Sequence, residues 1–334
     1  MEMQRCEPNL ETKIGPKIFK TCLWNAAGPR CTTAEELKIL RECRFVGAVV
    51  TKTCTLDKRE GNIFPRIDHS KPEDVHSYSI NSVGLANMGI HQYIEWISKE
   101  KKMGQEKPIF LSIGGLSFLE NKDLLALIRN APFYPDFIEL NLSCPNLRGH
   151  SIVAYDPDEI KQHLNLLTIT LDIMKKDGKD ISCGVKLPPY FTDQGFRKIS
   201  KILNSFSSDI DYITTINGVP NCLVIDTETE SPRIKPKDGF GGLGGDVVKP
   251  IGLANVAKFK KYLDKSIQVI GCGGVSTGED VFQYILAGAD AVEIATQFLI
   301  EGEDCFKRIT EELIYIMKKK GYTKLSQFHG KLKI

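Results

Sequence analysis

The sequence predicts an α/β fold, a (β/α)8 TIM barrel with insertions on its C-terminal face. Three observations carry that prediction. Short β-branched apolar runs alternate with longer runs of helical period, the pattern of β-α units stacked around a parallel sheet. Eight such apolar runs occur, each followed by a helix or by a connection long enough for one. The two longest connections, about 53–92 and 218–250, both follow strands, which puts them on the face where this architecture keeps its chemistry.

In chain order the expected strands are Ile18–Asn25, Val46–Thr51, Pro108–Ile113, Phe137–Leu142, Cys183–Leu187, Asp211–Ile216, Ile267–Gly271 and Ala291–Ala295. Helical segments fall between them. Thr33–Cys43 opens on a residue suited to the N-cap. Pro157–Lys175 has Asp156 to cap it and a proline at the first helical position. Thr192–Phe206, Ala254–Leu263, Thr277–Ala287 and Glu303–Lys319 complete the series, several with acidic starts and lysine-rich ends that suit the helix dipole. No helix is expected between Thr53 and about Gln92. The whole chain, 1–334, is read as one barrel domain.

Composition narrows the function classes. Apolar residues make up 42% and charged residues 26%, so the chain is neither disordered nor fibrous. The formal charge of +2 gives no overall electrostatic footprint for nucleic acid or an anionic membrane. No apolar run approaches the ~18 residues of a membrane span. The start, Met-Glu-Met-Gln-Arg-Cys-Glu, lacks the basic and apolar regions of a secretory signal. Ten cysteines lie singly with no Cys-x-x-Cys pair, and Cys43, Cys183 and Cys272 sit in helix- or strand-like segments as core thiols. Reduced cysteines in a cytoplasmic protein are expected, with no disulfide framework. The six histidines show no metal-ligand spacing, so no metal site is expected.

If the barrel closes, the residues at the strand ends meet at one mouth. Strand one ends in Asn25-Ala26-Ala27-Gly28 and strand two in Lys52-Thr53. Strand four ends in Asn141-Leu142-Ser143-Cys144-Pro145-Asn146. Lys186 lies on strand five, Asn217-Gly218 follow strand six, Gly273-Gly274 follow strand seven, and Ala295-Thr296 follow strand eight. A lysine at the end of a buried strand needs an anion or a ring of acceptors to offset its desolvation. The two glycine-rich ends after strands seven and eight read either as tight strand–helix packing or as a phosphate cradle, with Ser276-Thr277 leading into a helix beside it. A cradle, a lysine on strand five and amides at the mouth favour a phosphorylated aromatic cofactor, and flavin mononucleotide (FMN) fits best. Gly239–Gly245 does not fit a dinucleotide fingerprint, because no strand directly precedes it at the required spacing. Cys144 is open to three readings: a nucleophile wanting a histidine partner, of which His150 is nearby in sequence; a general base needing only geometry and the thiolate; or an inert loop thiol.

Six collinear stretches carry a resemblance. They are REGNIFPR (59–66), NSVGLAN (81–87), NLSCPN (141–146), GVKLPPYF (184–191), KPKDGFGGLGG (235–245) and FHGKLK (328–333). Together they resemble the class 1A dihydroorotate dehydrogenases, the soluble FMN enzymes of pyrimidine biosynthesis, from about Ile18 onward. The resemblance implies that Cys144 removes a proton from C5 of (S)-dihydroorotate while the C6 hydrogen leaves as hydride to FMN, and that fumarate reoxidises the flavin, giving succinate. It implies that Lys52 contacts both flavin and substrate. Asn81, Val83, Gly84, Leu85, Asn141, Asn146, Asn217 and Gly218 would line the substrate. Lys186 would sit at the flavin pyrimidine end, with Ala27, Gly28, Thr53, Asn141, Ile216, Gly245, Gly273, Gly274, Ala295 and Thr296 completing the FMN site. The segment from Cys144 to about Tyr155 would act as a lid. A cytoplasmic homodimer with no iron–sulfur subunit is implied.

The chain departs from the family pattern at Ala27, Thr53 and Gly218, where serine is usual, at Val83, where methionine is usual, and at Ala295, where glycine is usual. An FMN enzyme acting on another pyrimidine and a catalytically idle FMN- or partner-binding barrel are the alternatives.

Overall fold

Eight parallel strands form a nearly closed barrel in the computed structural model, which describes residues 7–71, 73–143 and 152–333. They are β1 (Leu23–Asn25), β2 (Val49–Val50), β3 (Ile109–Ile113), β4 (Phe137–Asn141), β5 (Ser182–Leu187), β6 (Tyr212–Thr215), β7 (Gln268–Cys272) and β8 (Ala291–Ile294). The order around the barrel is β1-β8-β7-β6-β5-β4-β3-β2. The seam between β1 and β2 is held by a side chain. The buried Asn25 amide donates to Val50 O at 2.7 Å and accepts from Val50 N at 3.1 Å, standing in for a backbone ladder.

The period-two geometry of the strands layers the interior. In Phe137-Ile138-Glu139-Leu140-Asn141, every second residue points inward. At the base Phe110 stacks on Phe137 with centroids 4.2 Å apart, and Tyr212 meets Phe110 edge-on. Gly184 leaves room for the Tyr212 ring, since a Cβ there would come within 2.6 Å of it. One level up the layer turns polar, with Ser112, Glu139, Lys186, Thr214 and Glu293, all buried.

The first expected strand is corrected. Ile18–Asn25 is broken at Lys20-Thr21-Cys22 into a hairpin strand, Lys17–Phe19, and β1. The hairpin pairs Thr12–Ile14 with Lys17–Phe19 and closes the barrel floor. Phe19 stacks on Trp24 at 4.9 Å, and Gln268 bonds Gly15 N and Lys13 O.

Helices α1 (Ala34–Glu42), α2 (Ile90–Lys102), α3 (Phe118–Asn130), α4 (Pro157–Lys176), α5 (Asp193–Asn204), α6 (Lys249–Tyr262), α7 (Gly278–Ala287), α8 (Thr296–Glu301) and α9 (Asp304–Lys320) flank the sheet. Thr33 and Asp156 cap α1 and α4 as expected, and Thr192 and Thr277 cap α5 and α7. α6 begins five residues before the expected Ala254, with Pro250 in its first turn, where proline's missing N–H costs nothing.

The two long insertions meet. Strands Ile67–His69 and Ser79–Asn81 from the first pair with Phe240–Gly244 and Val219–Leu223 from the second, in one four-stranded antiparallel sheet. Its register sets Asn81 opposite Gly242 and Ser79 opposite Gly244. Gly244 needs to be glycine, because a Cβ would lie 2.9 Å from both Ser79 Oγ and Thr296 Oγ1.

Candidate functional site

The C-terminal rim of the barrel and the inner side of the insertion sheet enclose an open cavity. Its lining holds Ala27, Gly28, Lys52, Thr53, Asn81, Val83, Leu85, Asn141, Lys186, Ile216, Asn217, Gly218, Gly245, Gly273, Gly274, Ala295 and Thr296, all expected from the sequence. Gly84 is not on the lining. It takes φ +72, its carbonyl accepts from Arg59 Nε at 3.3 Å, and a Cβ would collide with Asn62. Cys144, Asn146, His150 and most of the expected lid lie outside the described residues. The far end of that segment is anchored: Ala154 N donates to Leu142 O at 2.9 Å, and Tyr155 Oη donates to Pro189 O at 2.9 Å.

A directed hydrogen-bond chain fixes the amides at the mouth. Asn217 Nδ2 donates to Ser143 Oγ at 2.8 Å, and Ser143 Oγ donates to Asn141 Oδ1 at 2.8 Å. Asn141 Nδ2 donates to Thr53 Oγ1 at 3.1 Å. Thr53 Oγ1 lies 2.9 Å from Ser112 Oγ, which donates to Glu139 at 3.3 Å. The chain therefore ends on an acid that also takes the Thr214 hydroxyl at 2.8 Å. Each carboxamide has one possible orientation in such a chain, so the mouth is preorganised.

Among the described residues two cations, Lys52 and Lys186, face the cavity. Lys52 Nζ donates to Gly28 O at 3.0 Å, tying the ends of β1 and β2 together. Lys186 is buried on β5, between Asn141 of β4 and Thr214 of β6 in register. Its ammonium reaches across the barrel to Glu293 on β8 at 3.0 Å. Burial alone would depress the lysine, but Glu293 and Glu139 outweigh it and hold the ammonium protonated. Burial, with Glu139 alongside, pushes the Glu293 carboxyl up against the pull of Lys186. Glu293 was missed in the sequence reading, although an acid inside the apolar run AVEIA is a signal that something must pair with it. Cys272 is buried as expected of a core thiol but also lines the cavity, and burial pushes it up to about 12.

At the other end of the cavity the backbone comes close. Gly273 and Gly274 take φ +119 and +71, and Gly245 takes φ +93. A Cβ on Gly274 would lie 2.8 Å from Gly245 O, and one on Gly245 would lie 2.3 Å from Ser77 O. Only glycine fits where two loops press together this way. Tyr284 Oη supports the turn by donating to Gly273 O at 2.5 Å. The expected role of α7 here is corrected. Its first amides are already taken, Ser276 and Thr277 by Asp280 and Gly278 by Glu312. The helices that begin on the lining are α6, after Val248, and the short α8, at Ala295-Thr296.

A family model described as dihydroorotate dehydrogenase matches residues 9–317. The chain belongs to the dihydroorotate dehydrogenase family. It is 43% identical over 325 residues to dihydroorotate dehydrogenase A (fumarate) of Lactococcus lactis subsp. lactis, covering 97% of this chain and 99% of that one. It is 42% identical over 325 residues to dihydroorotate dehydrogenase (fumarate) of Saccharomyces mikatae, covering 97% and 98%. The ligand-free dihydroorotate dehydrogenase from Eimeria tenella superposes with a TM-score of 0.79 at 22% identity, over 99% of this chain and 93% of that one, which bears on the fold.

The departures from the family pattern can be placed in this site. Thr53 keeps the hydroxyl in the hydrogen-bond chain, and its methyl lies over Gly114, where a Cβ would come within 2.8 Å of it. The Ala295 methyl stands 3.5 Å from where a Gly28 Cβ would be, so the absence of a side chain at 28 accommodates it.

Proposed function

We propose that this chain oxidises (S)-dihydroorotate to orotate in pyrimidine biosynthesis, using FMN and passing the electrons to fumarate, which is reduced to succinate. One observation carries the reading: a match over nearly the full length of both chains to fumarate-using relatives, on a cavity whose polar groups suit this chemistry.

The residues present fit FMN. The Gly245, Gly273 and Gly274 turn offers close backbone approach for a phosphate. Ile216 and the small side chains of Ala27 and Ala295 leave room for a flat ring, and Lys186 supplies a fixed positive charge for its pyrimidine end. When bound, FMN supplies the two-electron acceptor. The chain does the rest. Asn81, Asn141 and Asn217 orient the substrate ring and carboxylate, with Lys52 as the cation. Cys144 Sγ takes the proton from substrate C5. The roles of Cys144, Gly84 and Asn146 rest on the motif alone.

Anaerobic stopped-flow tests the reading. Dihydroorotate is expected to bleach the flavin and fumarate to restore it faster than a quinone or NAD does. A yellow protein left unbleached by dihydroorotate would favour another pyrimidine or an idle barrel.

Gly218→Ser is expected to leave dihydroorotate affinity equal or tighter by up to about tenfold, read as a substrate Kd on flavin absorbance. Gly218 has no positive φ, and its Cβ would lie 3.3 Å from Leu243 O, a contact a small shift relieves. The added hydroxyl would face the substrate beside Asn217, and one hydrogen bond contributes about 0.5–1.5 kcal/mol. Weaker binding would show that the site is arranged differently.

We read the chain as one domain and a homodimer in the cytoplasm. Among the described residues no helix is long and apolar enough to cross a membrane. The insertion layer and the loops joining it leave Ile63, Phe64, Leu223, Ile225 and Phe240 exposed, apolar area that a second copy can cover. Sedimentation of the 37.3 kDa chain as a monomer would overturn the dimer.

A further inference from the structure

Lys186 does not face the cavity as a lone charge. Glu293 is fully buried, lines the same cavity and holds the ammonium at 3.0 Å with one oxygen. Its other oxygen, Oε1, has no hydrogen-bond partner of ordinary geometry. Among the described residues, the titratable groups facing this pair are Glu139 on β4, Tyr212 on β6, Cys272 on β7 and the buried Cys31, with the Trp24 indole beside Glu293 in register on β1. Burial pushes the Tyr212, Cys272 and Cys31 groups up, so all three stay neutral. The field at this end of the cavity is therefore set by one lysine and two acids.

We propose that Glu293 is a positioning residue that fixes Lys186 Nζ and offsets part of its charge, so that it tunes how strongly the barrel favours negative charge at the cofactor's pyrimidine edge. The proposal rests on the FMN reading above. A carboxylate held directly against the ammonium shares every interaction the ammonium makes, and in a site shielded from water that offset is large. Glu293 then limits how readily the bound flavin accepts electrons, while Glu139, engaged by Ser112 and Thr214, anchors the amide chain instead.

The test is Glu293→Gln, which keeps shape and can still accept from Lys186, and Glu293→Asp, which keeps the charge but draws it back. Sulfite is the probe. It adds to flavin N5 through its sulfur and leaves negative charge at the pyrimidine edge, so its Kd reads that environment without substrate or turnover. The E293Q protein is expected to bind sulfite at least tenfold more tightly than wild type. Its flavin midpoint should rise by the equivalent of tenfold, ~30 mV for a two-electron couple. The E293D protein is expected to shift the same way by two- to fivefold, and it carries the test if E293Q fails to retain flavin. Unchanged or weaker sulfite binding in the flavin-loaded variant would overturn the proposal. Wild-type protein that takes up no FMN would instead overturn the functional reading. A yellow wild type reduced by dihydroorotate, with variants like it in sulfite affinity and potential, would overturn this inference alone.

Discussion

Cys144→Ala is expected to leave the protein yellow while slowing flavin reduction by dihydroorotate about 10²–10⁴-fold, the usual contribution of a positioned base. The FMN contacts proposed above come from the ends of β1, β5, β6, β7 and β8 and of the insertion sheet, none of which includes residue 144. Cofactor content should therefore not change. The residues just before the cysteine are held tightly: Ser143 N and Oγ both donate to Asn141 Oδ1, and Asn217 donates to Ser143 Oγ. The strand end that precedes residue 144 is thereby fixed at the mouth. Since the thiolate is the base and a free thiol titrates near ~8.5, the wild-type reduction rate should climb with pH through the thiol's titration. The alanine variant should lose that limb. Single-turnover mixing with dihydroorotate at several pH values reads both effects, and wild-type rates in the variant would remove Cys144 as the base.

Much of the barrel was legible because its chemistry is local. Period-two alternation in FIELNL shows which residues face inward, and a threonine or aspartate before an acidic turn shows where α1, α4, α5 and α7 begin. Both lysines and the glycine pairs could be placed at one rim once the strand ends were known. What was not legible depends on contacts between distant segments. β2 shrinks to Val49–Val50 because the Asn25 side chain replaces its ladder on one side. The insertion sheet joins Asn81 to Gly242 with no local signal that the two loops meet. Helix α3 went unread behind Gly114-Gly115, where a Cβ on Gly115 would strike the helix's own first turn at 2.7 Å. The α7 assignment failed on a legible feature, since Thr277 with Asp280 three residues on is a capping pair that occupies the very amides a phosphate would need. Glu139 and Glu293 were each visible as acids in apolar runs. That the second would pair with Lys186, 107 residues away, could only come from barrel closure.

Lys186→Met is expected to abolish tight FMN binding and to destabilise the apoprotein by about 3–5 kcal/mol near neutral pH. Methionine is close to lysine in volume and matches its unbranched stem, so a cavity is not the cause. The cause is charge. Lys186 is 4% exposed and Glu293 is 0% exposed, and without the ammonium the buried polar layer keeps Glu139 and Glu293 with no buried cation among the described residues. Burial and Glu139 already push the Glu293 carboxyl up in the intact protein, and Lys186 is what pulls it down. In the variant its folded value rises further above the unfolded one, so the folded state binds the extra proton. Stability is then retained below the ordinary glutamate range and lost as pH rises through the raised folded value. Urea unfolding should therefore show the variant close to wild type near pH ~4 and far below it near pH ~8, a range fixed by the ordinary glutamate value of about 4.3. Adding Glu293→Gln to Lys186→Met removes one of the stranded acids and should restore much of the stability without restoring FMN. A Lys186→Met protein as stable as wild type in mild alkali would mean that the pair carries no weight in the fold. A double variant no more stable than the single one would put the cost on the lysine stem and not on the carboxylate left behind.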